Sequence, residues 1–221
     1  MALFEILDLV SDPEPRPAAL NMAMDEAILA EISVPTLRAY RWLRRSVSFG
    51  CFERYSEVEK QHPGCDLVRR WTGGGVVLHD GDFTYSLMVP RGGALGQAGP
   101  GQWYLAIHER LARTLRDCGL AALTAGGATP KISSACFENA VCHDVLLGER
   151  KIAGAAQRRT RWGLLHQGSI QGVELPGDFA QRLAANLGVR VIQRNATQSE
   201  LKAAAALAKT KYATPEWTRK F

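Results

Sequence analysis

Residues 144–157, DVLLGERKIAGAAQ, have a pattern that predicts a β-hairpin. Asp144–Leu147 forms a short apolar run, and Gly148-Glu149 is typical of a tight turn between two strands. From Lys151 the chain alternates, which places Lys151, Ala153, Ala155 and Gln157 on one face and Ile152, Gly154 and Ala156 on the other. The hairpin therefore predicts a sheet with a lysine near the start of its second strand.

The second strand of this hairpin is unusually bare around Gly154-Ala155-Ala156. Glycine and alanine are poor strand formers, so such a run is costly unless another group approaches the backbone closely. A slot with one cation at its end accommodates a carbonyl oxygen, a carboxylate or a phosphate. The alternative is an ordinary hairpin with a surface lysine.

A second unusual feature is the run Gly73-Gly74-Gly75, which lies between two predicted strands and follows Arg69 and Arg70. Three glycines permit positive φ, and their N–H groups can converge on an anion. The run lacks the Gly-Lys-Ser/Thr of a P-loop and the spacing of a dinucleotide fingerprint. An oxyanion or phosphate nest beside Arg70 and a simple hairpin turn both remain open.

Length and composition favour one domain with a substantial core, since the chain has 221 residues and 46% of them are hydrophobic. No apolar run is long enough to span a membrane, and acidic residues interrupt the short apolar start. The five cysteines are odd in number and lack zinc-type spacing. We expect a reduced, cytoplasmic protein without membrane association.

Net charge is +5 and the pI is near 9.1. Basic residues cluster at Arg38–Arg45, at Arg69-Arg70 and at Arg158–Arg161. No RNA-binding aromatic motif, helix-turn-helix signature or Cys/His finger accompanies them. We therefore expect acidic protein domains or a phosphate-bearing substrate as partners, and no nucleic acid.

Periodicity along the rest of the chain indicates an α+β fold, with helices packed on a largely antiparallel sheet. Helices are predicted over Ala18–Ile32, Gln102–Cys118, Pro176–Leu187 and Gln198–Lys209, with a helical turn at Ser56–Lys60. Strands are predicted over Leu3–Val10, Thr36–Trp42, Ser46–Gly50, Asp66–Arg70, Asp82–Val89, Leu120–Thr124 and Leu164–Val173. Asn21 and Asp25 are expected at a solvated helix start, His108 on a helix face, and the tail Lys211–Trp217 in an extended conformation.

Residues 69–80, RRWTGGGVVLHD, resemble the Arg-Arg-x-x-Gly-Gly-Gly-x-x-x-His motif of the biotin/lipoate protein ligase superfamily. Gly148–Gln157 is similar to its Gly-x-Lys-Ile-x-Gly-x-Ala-Gln segment, and Leu165–Ile170 to its His-x-Gly-Ser/Thr segment. Asn21–Glu26 and the tail Lys211–Trp217 resemble the lipoate branch. The resemblance implies a mostly antiparallel seven-stranded sheet packed with helices, and one catalytic domain over residues 1–221 without a C-terminal accessory domain.

Two chemistries compete within that superfamily. In the cysteine-dependent octanoyltransferases, which need no cofactor, an octanoyl group moves from acyl carrier protein to a lysine of a lipoyl domain. By this resemblance Cys136 is the nucleophile and Lys151 the essential cation. A thiolate attacks the thioester, and the cation lowers the thiol pKa and stabilises the oxyanion.

The alternative is an ATP-dependent lipoate ligase that uses free lipoate or octanoate. Its resemblance rests on the complete Gly73-Gly74-Gly75 run and on His143-Asp144, where Asp144 would help to hold Mg²⁺. Arg70 and Lys151 would then hold an acyl-adenylate. A non-catalytic acyl-binding module is the third possibility.

The remaining candidate substrate-binding residues take their positions from the same motifs. For His79, a place in the pocket wall and a role in capping the turn remain open. Gln157 and His166 are expected to orient backbone or substrate, or to be structural. The other candidates are the small residues of the matched segments, Gly154, Ala155 and Gly168.

Overall fold

The structure, a computed structural model, describes residues 2–92, 98–127 and 141–221. Its strands are β1 (Phe4–Ser11), β2 (Thr36–Tyr40), β3 (Ser46–Phe49), β4 (Asp66–Arg69), β5 (Val76–His79), β6 (Phe83–Pro90), β7 (Ala122–Thr124), β8 (Val145–Leu147), β9 (Arg150–Arg159), β10 (Gly163–Ile170) and β11 (Gly188–Arg194). Its α-helices are α1 (Ala18–Glu31), α2 (Tyr55–Gln61), α3 (Pro100–Asp117), α4 (Phe179–Leu187), α5 (Gln198–Leu207) and α6 (Pro215–Thr218).

The main sheet has eight strands in the order β11-β1-β2-β6-β10-β9-β8-β7. β1 pairs in parallel with β11 and with β2, and all other neighbours in this sheet are antiparallel. A second sheet of three strands has the order β4-β3-β5. The predicted α+β class and mostly antiparallel sheet are confirmed, but the expected seven strands become eight in the main sheet.

Both faces of the main sheet are covered, and alternate residues of a central strand serve different cores. In β6, Leu87 and Val89 pack with α3 and α4, whereas Met88 packs with α1 and the C-terminal helices. β10 divides in the same way, with Leu164 on the first side and Leu165 on the second. Because helices lie on both faces, every residue of β10 is buried.

The small sheet has its own core of Val47, Phe49, Val58 and Val76. It carries the Gly73–Gly75 bend between β4 and β5. A Cβ built on Gly74 would lie 3.5 Å from the Cβ of Ala156 on β9. The small sheet therefore brings the glycine bend against the middle of the main sheet.

One strand was missed and two expectations are wrong. β11 was not predicted, although it pairs with β1 along most of that strand. The tail is helical: a π-helical turn covers Ala208–Tyr212, and α6 begins after Thr214, whose hydroxyl accepts the Trp217 N–H. Asn21 and Asp25 are fully buried, because α1 lies between the sheet and the C-terminal helices.

The burial of Asp25 is balanced by Arg38 of β2. The Arg38 guanidinium lies 2.7 Å from Asp25 Oδ1 and 2.7 Å from Asp12 Oδ2, and it donates to Asn21 Oδ1. Buried charges of this kind persist only where they are paired and hydrogen-bonded. Among the described helices, none combines the length and the apolar character needed to cross a bilayer.

Candidate active site

Lys151 and Asp144 form a buried ion pair at the start of β9. Lys151 Nζ lies 2.8 Å from Asp144 Oδ2, and the side chains are 3% and 0% exposed. Asp144 Oδ2 also accepts the Val141 N–H, and Asp144 Oδ1 accepts the Tyr104 hydroxyl at 2.5 Å. The surface lysine considered from the sequence is thereby ruled out, and its ammonium group is held in a fixed position inside the protein.

Gly154 makes this position possible. A Cβ on Gly154 would lie 2.6 Å from Lys151 Cε, 2.8 Å from Lys151 Nζ and 3.2 Å from Asp144 Oδ1. Contacts of that length are not tolerated, so any larger residue would displace the lysine. The bare strip noticed in the sequence is explained here by the passage of the lysine side chain itself.

The predicted alternation along β9 is wrong at Lys151. The register shifts between Val145 and Leu146, so that Val145 pairs with Ala153 whereas Leu146 pairs with Lys151. Such a β-bulge re-aims a side chain. Lys151 consequently lies over Gly154 and does not share the face of Ala153 and Ala155.

Tyr104 and His108 of α3 support the ion pair from behind, and sequence reasoning missed the role of both. The Tyr104 hydroxyl donates to Asp144 and accepts the Ala155 N–H at 2.9 Å. Burial and the neighbouring Asp144 raise the pKa of Tyr104, so the hydroxyl stays protonated. The available signal was the spacing of Tyr104 and His108, since residues at i and i+4 share a helix face.

His108 is fully buried beside Tyr104, with ring centroids 4.1 Å apart. Its Nδ1–H donates to the carbonyl oxygen of His143 at 2.7 Å, and among the described residues its Nε2 has no hydrogen-bond partner. Burial lowers the pKa of His108 to about 4. The ring is therefore neutral at physiological pH and adds no charge beside Lys151.

Arg70 braces the glycine bend. Its Nη2 donates to the carbonyl oxygens of Gly73 and Gly75 at 3.0 and 2.9 Å, and its Nη1 donates to Ser48 O and Ser48 Oγ. Gly74 has φ 83°, and a Cβ on Gly50 would lie 1.9 Å from its carbonyl oxygen. The bend is thus a tightly packed element whose first and third carbonyls face Arg70.

His79 continues the hydrogen-bond chain that starts at Arg70. Its Nε2 lies 2.7 Å from Ser48 Oγ and its Nδ1 lies 2.8 Å from Asp82 Oδ2. Burial lowers the pKa of His79, so the neutral ring donates from Nδ1 and accepts the Ser48 hydroxyl at Nε2. His79 also stacks on Trp42 at 4.0 Å between centroids.

These elements line a narrow central cavity of about 30 Å³ between the two sheets. It is lined by Met22, Tyr40, Trp42, Ser48, Arg70, Val77, His79, Thr84, Gly154, Ala155, Ala156, Gln167, Gly168 and Ser169. A wider cleft of about 1020 Å³ lies beyond Tyr40, Trp42 and His79, which both spaces share. We place the candidate site in the central cavity, because Gly154, on which Lys151 lies, and Arg70 line only that one.

Gln157 lies apart from the cavity lining. Its Nε2 donates to His166 Nδ1 at 3.0 Å, and His166 Nε2 lies 3.3 Å from the Tyr85 hydroxyl. Gly168 is required for packing, since a Cβ there would lie 2.4 Å from the Tyr85 ring. The structural alternative considered for Gln157 and His166 matches these contacts.

The structure therefore brings together most of the predicted site residues. Arg70, His79, Gly154, Ala155 and Gly168 line one cavity, with Lys151 and Asp144 beside Gly154 and the glycine bend against Arg70. Cys136 lies outside the described residues. Ser48, Trp42 and Tyr104 join the set from outside the quoted motifs.

The surroundings of Asp144 do not fit the Mg²⁺-binding role that is expected of it in a ligase. Both carboxylate oxygens are engaged by Lys151, Tyr104 and the Val141 N–H. Within residues 2–92, 98–127 and 141–221, no three His, Cys, Asp or Glu side chains group as metal ligands.

Comparison with solved structures supports the fold. A putative lipoate protein ligase from T. acidophilum superposes with a TM-score of 0.78 at 24% identity, covering 97% of this chain and 99% of that chain. A lipoate-protein ligase A bound with ATP gives 0.75 at 24% identity, with 98% of each chain covered. These likenesses concern the fold alone.

Comparison with curated sequences and family models identifies the family. Octanoyltransferase LipM from Oceanobacillus iheyensis is 36% identical, with 81% of this chain and 70% of the relative covered. LipM from Moorella thermoacetica is 37% identical, with 73% of this chain but only 62% of the relative covered. LipM from Brevibacillus brevis is 30% identical, with 90% of this chain and 94% of the relative covered. The lipoyl protein ligase A/B catalytic domain model matches residues 17–197, and the chain therefore belongs to that family.

Proposed function

We propose that this protein is a lipoylation enzyme that transfers an octanoyl group from acyl carrier protein to a lysine of a lipoyl domain, through a thioester on Cys136. The observation that carries the proposal is the buried Lys151–Asp144 pair, held over Gly154 beside the central cavity. The octanoyltransferase names of the relatives support the same chemistry. No cofactor enters this reaction.

In the first half-reaction the Cys136 thiolate attacks the carbonyl carbon of the octanoyl thioester. The new S–C bond forms and the bond to the carrier sulfur breaks, so that the carrier leaves as a thiolate that takes up a proton. The tetrahedral intermediate between these two events carries an oxyanion, and Lys151 donates hydrogen bonds to it. A preorganised donor of this kind stabilises the transition state.

In the second half-reaction the neutral amine of the acceptor lysine attacks the acyl-enzyme. A C–N bond forms, the C–S bond to Cys136 breaks, and the amine proton passes to the departing thiolate. The ion pair with Asp144 fixes the ammonium group of Lys151 through both steps, so little reorganisation is needed as charge develops.

The acyl chain would lie in the central cavity. Met22, Trp42 and Val77 supply apolar surface there. Because the cavity measures only about 30 Å³, and the side chains of Lys151 and Tyr85 fill the space at Gly154 and Gly168, the chain extends past Trp42 towards the adjoining cleft. In this proposal Arg70 acts through the glycine bend Gly73–Gly75, and His79 holds Ser48 and through it Arg70.

The alternative is an ATP-dependent ligase that works through an acyl-adenylate and Mg²⁺. The engagement of both Asp144 oxygens by protein donors favours the transferase. In a non-catalytic acyl-binding module the buried lysine would have no chemical role.

One experiment separates the three. The protein is incubated with octanoyl-acyl carrier protein, or with octanoate, ATP and Mg²⁺, and intact mass is measured for the protein and for a lipoyl-domain acceptor. The transferase predicts an octanoyl adduct and acceptor modification without ATP, both lost in Cys136→Ala and retained in Cys142→Ala, whose thiol is exposed six residues later. ATP-dependent modification that survives Cys136→Ala would establish the ligase, and no modification in either arm would leave the binding module.

A further inference from the structure

Four arginines lie at one end of the main sheet, with Arg158 and Arg159 on opposite faces of β9 because they pair with Leu165 and Leu164. Arg158 and Arg159 end β9, Arg161 lies in the turn to β10, and Arg91 follows β6. The register pairs Arg159 with Leu164 and Pro90 with Gly163, and the Arg91 N–H donates to the Trp162 carbonyl oxygen at 2.7 Å. We call this end of the sheet, with its four arginines, Trp71 and Trp162, the basic face.

The charge of the basic face is not cancelled within the described part of the chain. None of its four arginines has a described carboxylate within ion-pair distance, whereas Lys211 nearby is paired with Glu26 at 2.6 Å. Arg158 donates to the Trp71 carbonyl oxygen, and Arg159 to that of Ala98. Carbonyl contacts orient a guanidinium group but leave its positive charge intact.

Aromatic surface lies between these charges. Arg158 stacks over Trp71 at 4.9 Å from the ring centroid, and Arg161 stacks over Trp162 at 4.5 Å. The two indole rings are 5.9 Å apart and partly exposed. Arginine and tryptophan are the residue types most enriched at the energetic centres of protein interfaces.

The basic face borders the candidate site. Arg158 follows Ala156 by two residues, about 7 Å along an extended strand. Ala156 lines the central cavity and contacts the glycine bend, and Trp71 precedes Gly73 by two residues. A partner bound on this face can therefore deliver a group to the cavity.

We propose that the basic face docks the acyl donor, an acidic carrier domain whose thioester is attached through a phosphodiester-containing arm. This inference rests on the proposed function. The forked guanidinium groups match carboxylates and phosphates. We assign this face to the donor and not to the acceptor, because the donor's arm adds a phosphodiester that forked guanidinium groups bind.

The test uses the triple variant R91Q/R159Q/R161Q, which keeps Arg158 and its bond to Trp71. The control triple R44Q/R113Q/R190Q removes the same charge from exposed arginines that have no described ion pair. Binding of each protein to octanoyl-acyl carrier protein, to a lipoyl domain and to a single-stranded oligonucleotide is measured at two salt concentrations. Transfer is measured with the carrier and with octanoyl-N-acetylcysteamine, which lacks both phosphate and carrier.

For the basic-face triple we expect the Kd for the carrier to rise about tenfold or more and its salt dependence to weaken. Acceptor binding and transfer from octanoyl-N-acetylcysteamine stay at wild-type levels, and the control triple keeps wild-type carrier affinity. An unchanged carrier Kd, an equal loss in the control, or a loss confined to the acceptor or the oligonucleotide would overturn the proposal. Because binding is read separately from transfer, an inactive protein would count against the proposed function and not against the docking surface.

Discussion

The Tyr104 hydroxyl donates a 2.5 Å hydrogen bond to Asp144 Oδ1 while Asp144 Oδ2 lies 2.8 Å from Lys151 Nζ. The tyrosine thus fixes the carboxylate that fixes the cation. Because it also accepts the Ala155 N–H, it ties α3 to the strand that lines the cavity.

Tyr104→Phe removes the hydroxyl and keeps the ring that packs on His108. We expect kcat to fall about tenfold with KM nearly unchanged, since a hydrogen bond to a charged group contributes roughly 1.5–3 kcal/mol. Steady-state kinetics measures the effect. Tyr55→Phe, which removes an exposed hydroxyl contact to Glu59, is the matched control and should keep full activity. A large loss in both variants, or none in Tyr104→Phe, would refute this role.

Gly154→Ala tests whether space for Lys151 explains the bare strip. The new Cβ would lie 2.6 Å from Lys151 Cε, so the lysine must move. We expect activity to fall about a hundredfold, the scale of losing one oxyanion donor. Alanine is tolerated in strands, so circular dichroism should stay that of the wild type.

The control for that variant is Gly177→Ala, because among the described residues nothing lies within 4 Å of a Cβ on the exposed Gly177. Its activity should be that of the wild type. Full activity in Gly154→Ala would show that the lysine position is not critical.

The Arg38 network makes a prediction about stability. Arg38→Met leaves the buried Asp25 and Asp12 without their shared cation. Breaking a buried pair from one side typically costs about 3–5 kcal/mol, so the free energy of unfolding in urea should fall by about that amount. Arg182→Met removes an exposed ion pair with Asp178 and should leave the unfolding midpoint unchanged. Equal midpoints for wild type and Arg38→Met would show that the ion pairs of Arg38 do not stabilise the fold.

His108 predicts a pH dependence of stability. Its pKa is about 4 in the folded protein because of burial, against 6.5 for the free side chain. The folded state binds this proton more weakly than the unfolded state, so the contribution is complete above pH 6.5 and is lost as pH falls towards 4. By pH 5 the loss is about 2 kcal/mol.

Urea unfolding of wild type and His108→Gln at pH 7.5 and pH 5 measures this contribution. The fall in unfolding free energy between the two pH values should be smaller in the variant by about 2 kcal/mol. Parallel falls in the two proteins would show that His108 does not titrate as described.

Elements that depend on neighbouring residues could be predicted from the sequence, whereas those that depend on residues far apart in the chain could not. The hairpin at Gly148-Glu149 and the bend at Gly73–Gly75 were predictable, because turn residues and strand alternation are local signals. The bulge that turns Lys151 over Gly154 was not, since it depends on how β8 registers against β9. The pairing of β11 with β1 depends in the same way on residues far apart in the chain.

The burial of polar residues was the other feature that could not be predicted from the sequence. Asn21 and Asp25 are polar residues one turn apart near a helix start, where a solvated position is expected. Their burial is explained by the ion pair and the hydrogen bond that they form with Arg38 of β2. Tyr104 was missed for the same reason, because its partners Asp144 and Ala155 lie about forty to fifty residues further along the chain.

In the proposed reaction Lys151, fixed by Asp144 over Gly154, stabilises the oxyanion formed when Cys136 attacks the donor. The most direct measurement is the rapid-quench rate at which octanoyl-acyl carrier protein acylates wild-type protein and Lys151→Ala, with the adduct located by peptide mapping. We predict an adduct on Cys136 that forms about a hundredfold more slowly, or more, in Lys151→Ala. Acylation of Lys151→Ala at the wild-type rate would show that Lys151 does not stabilise the oxyanion, and an adduct at another residue would show that Cys136 is not the nucleophile.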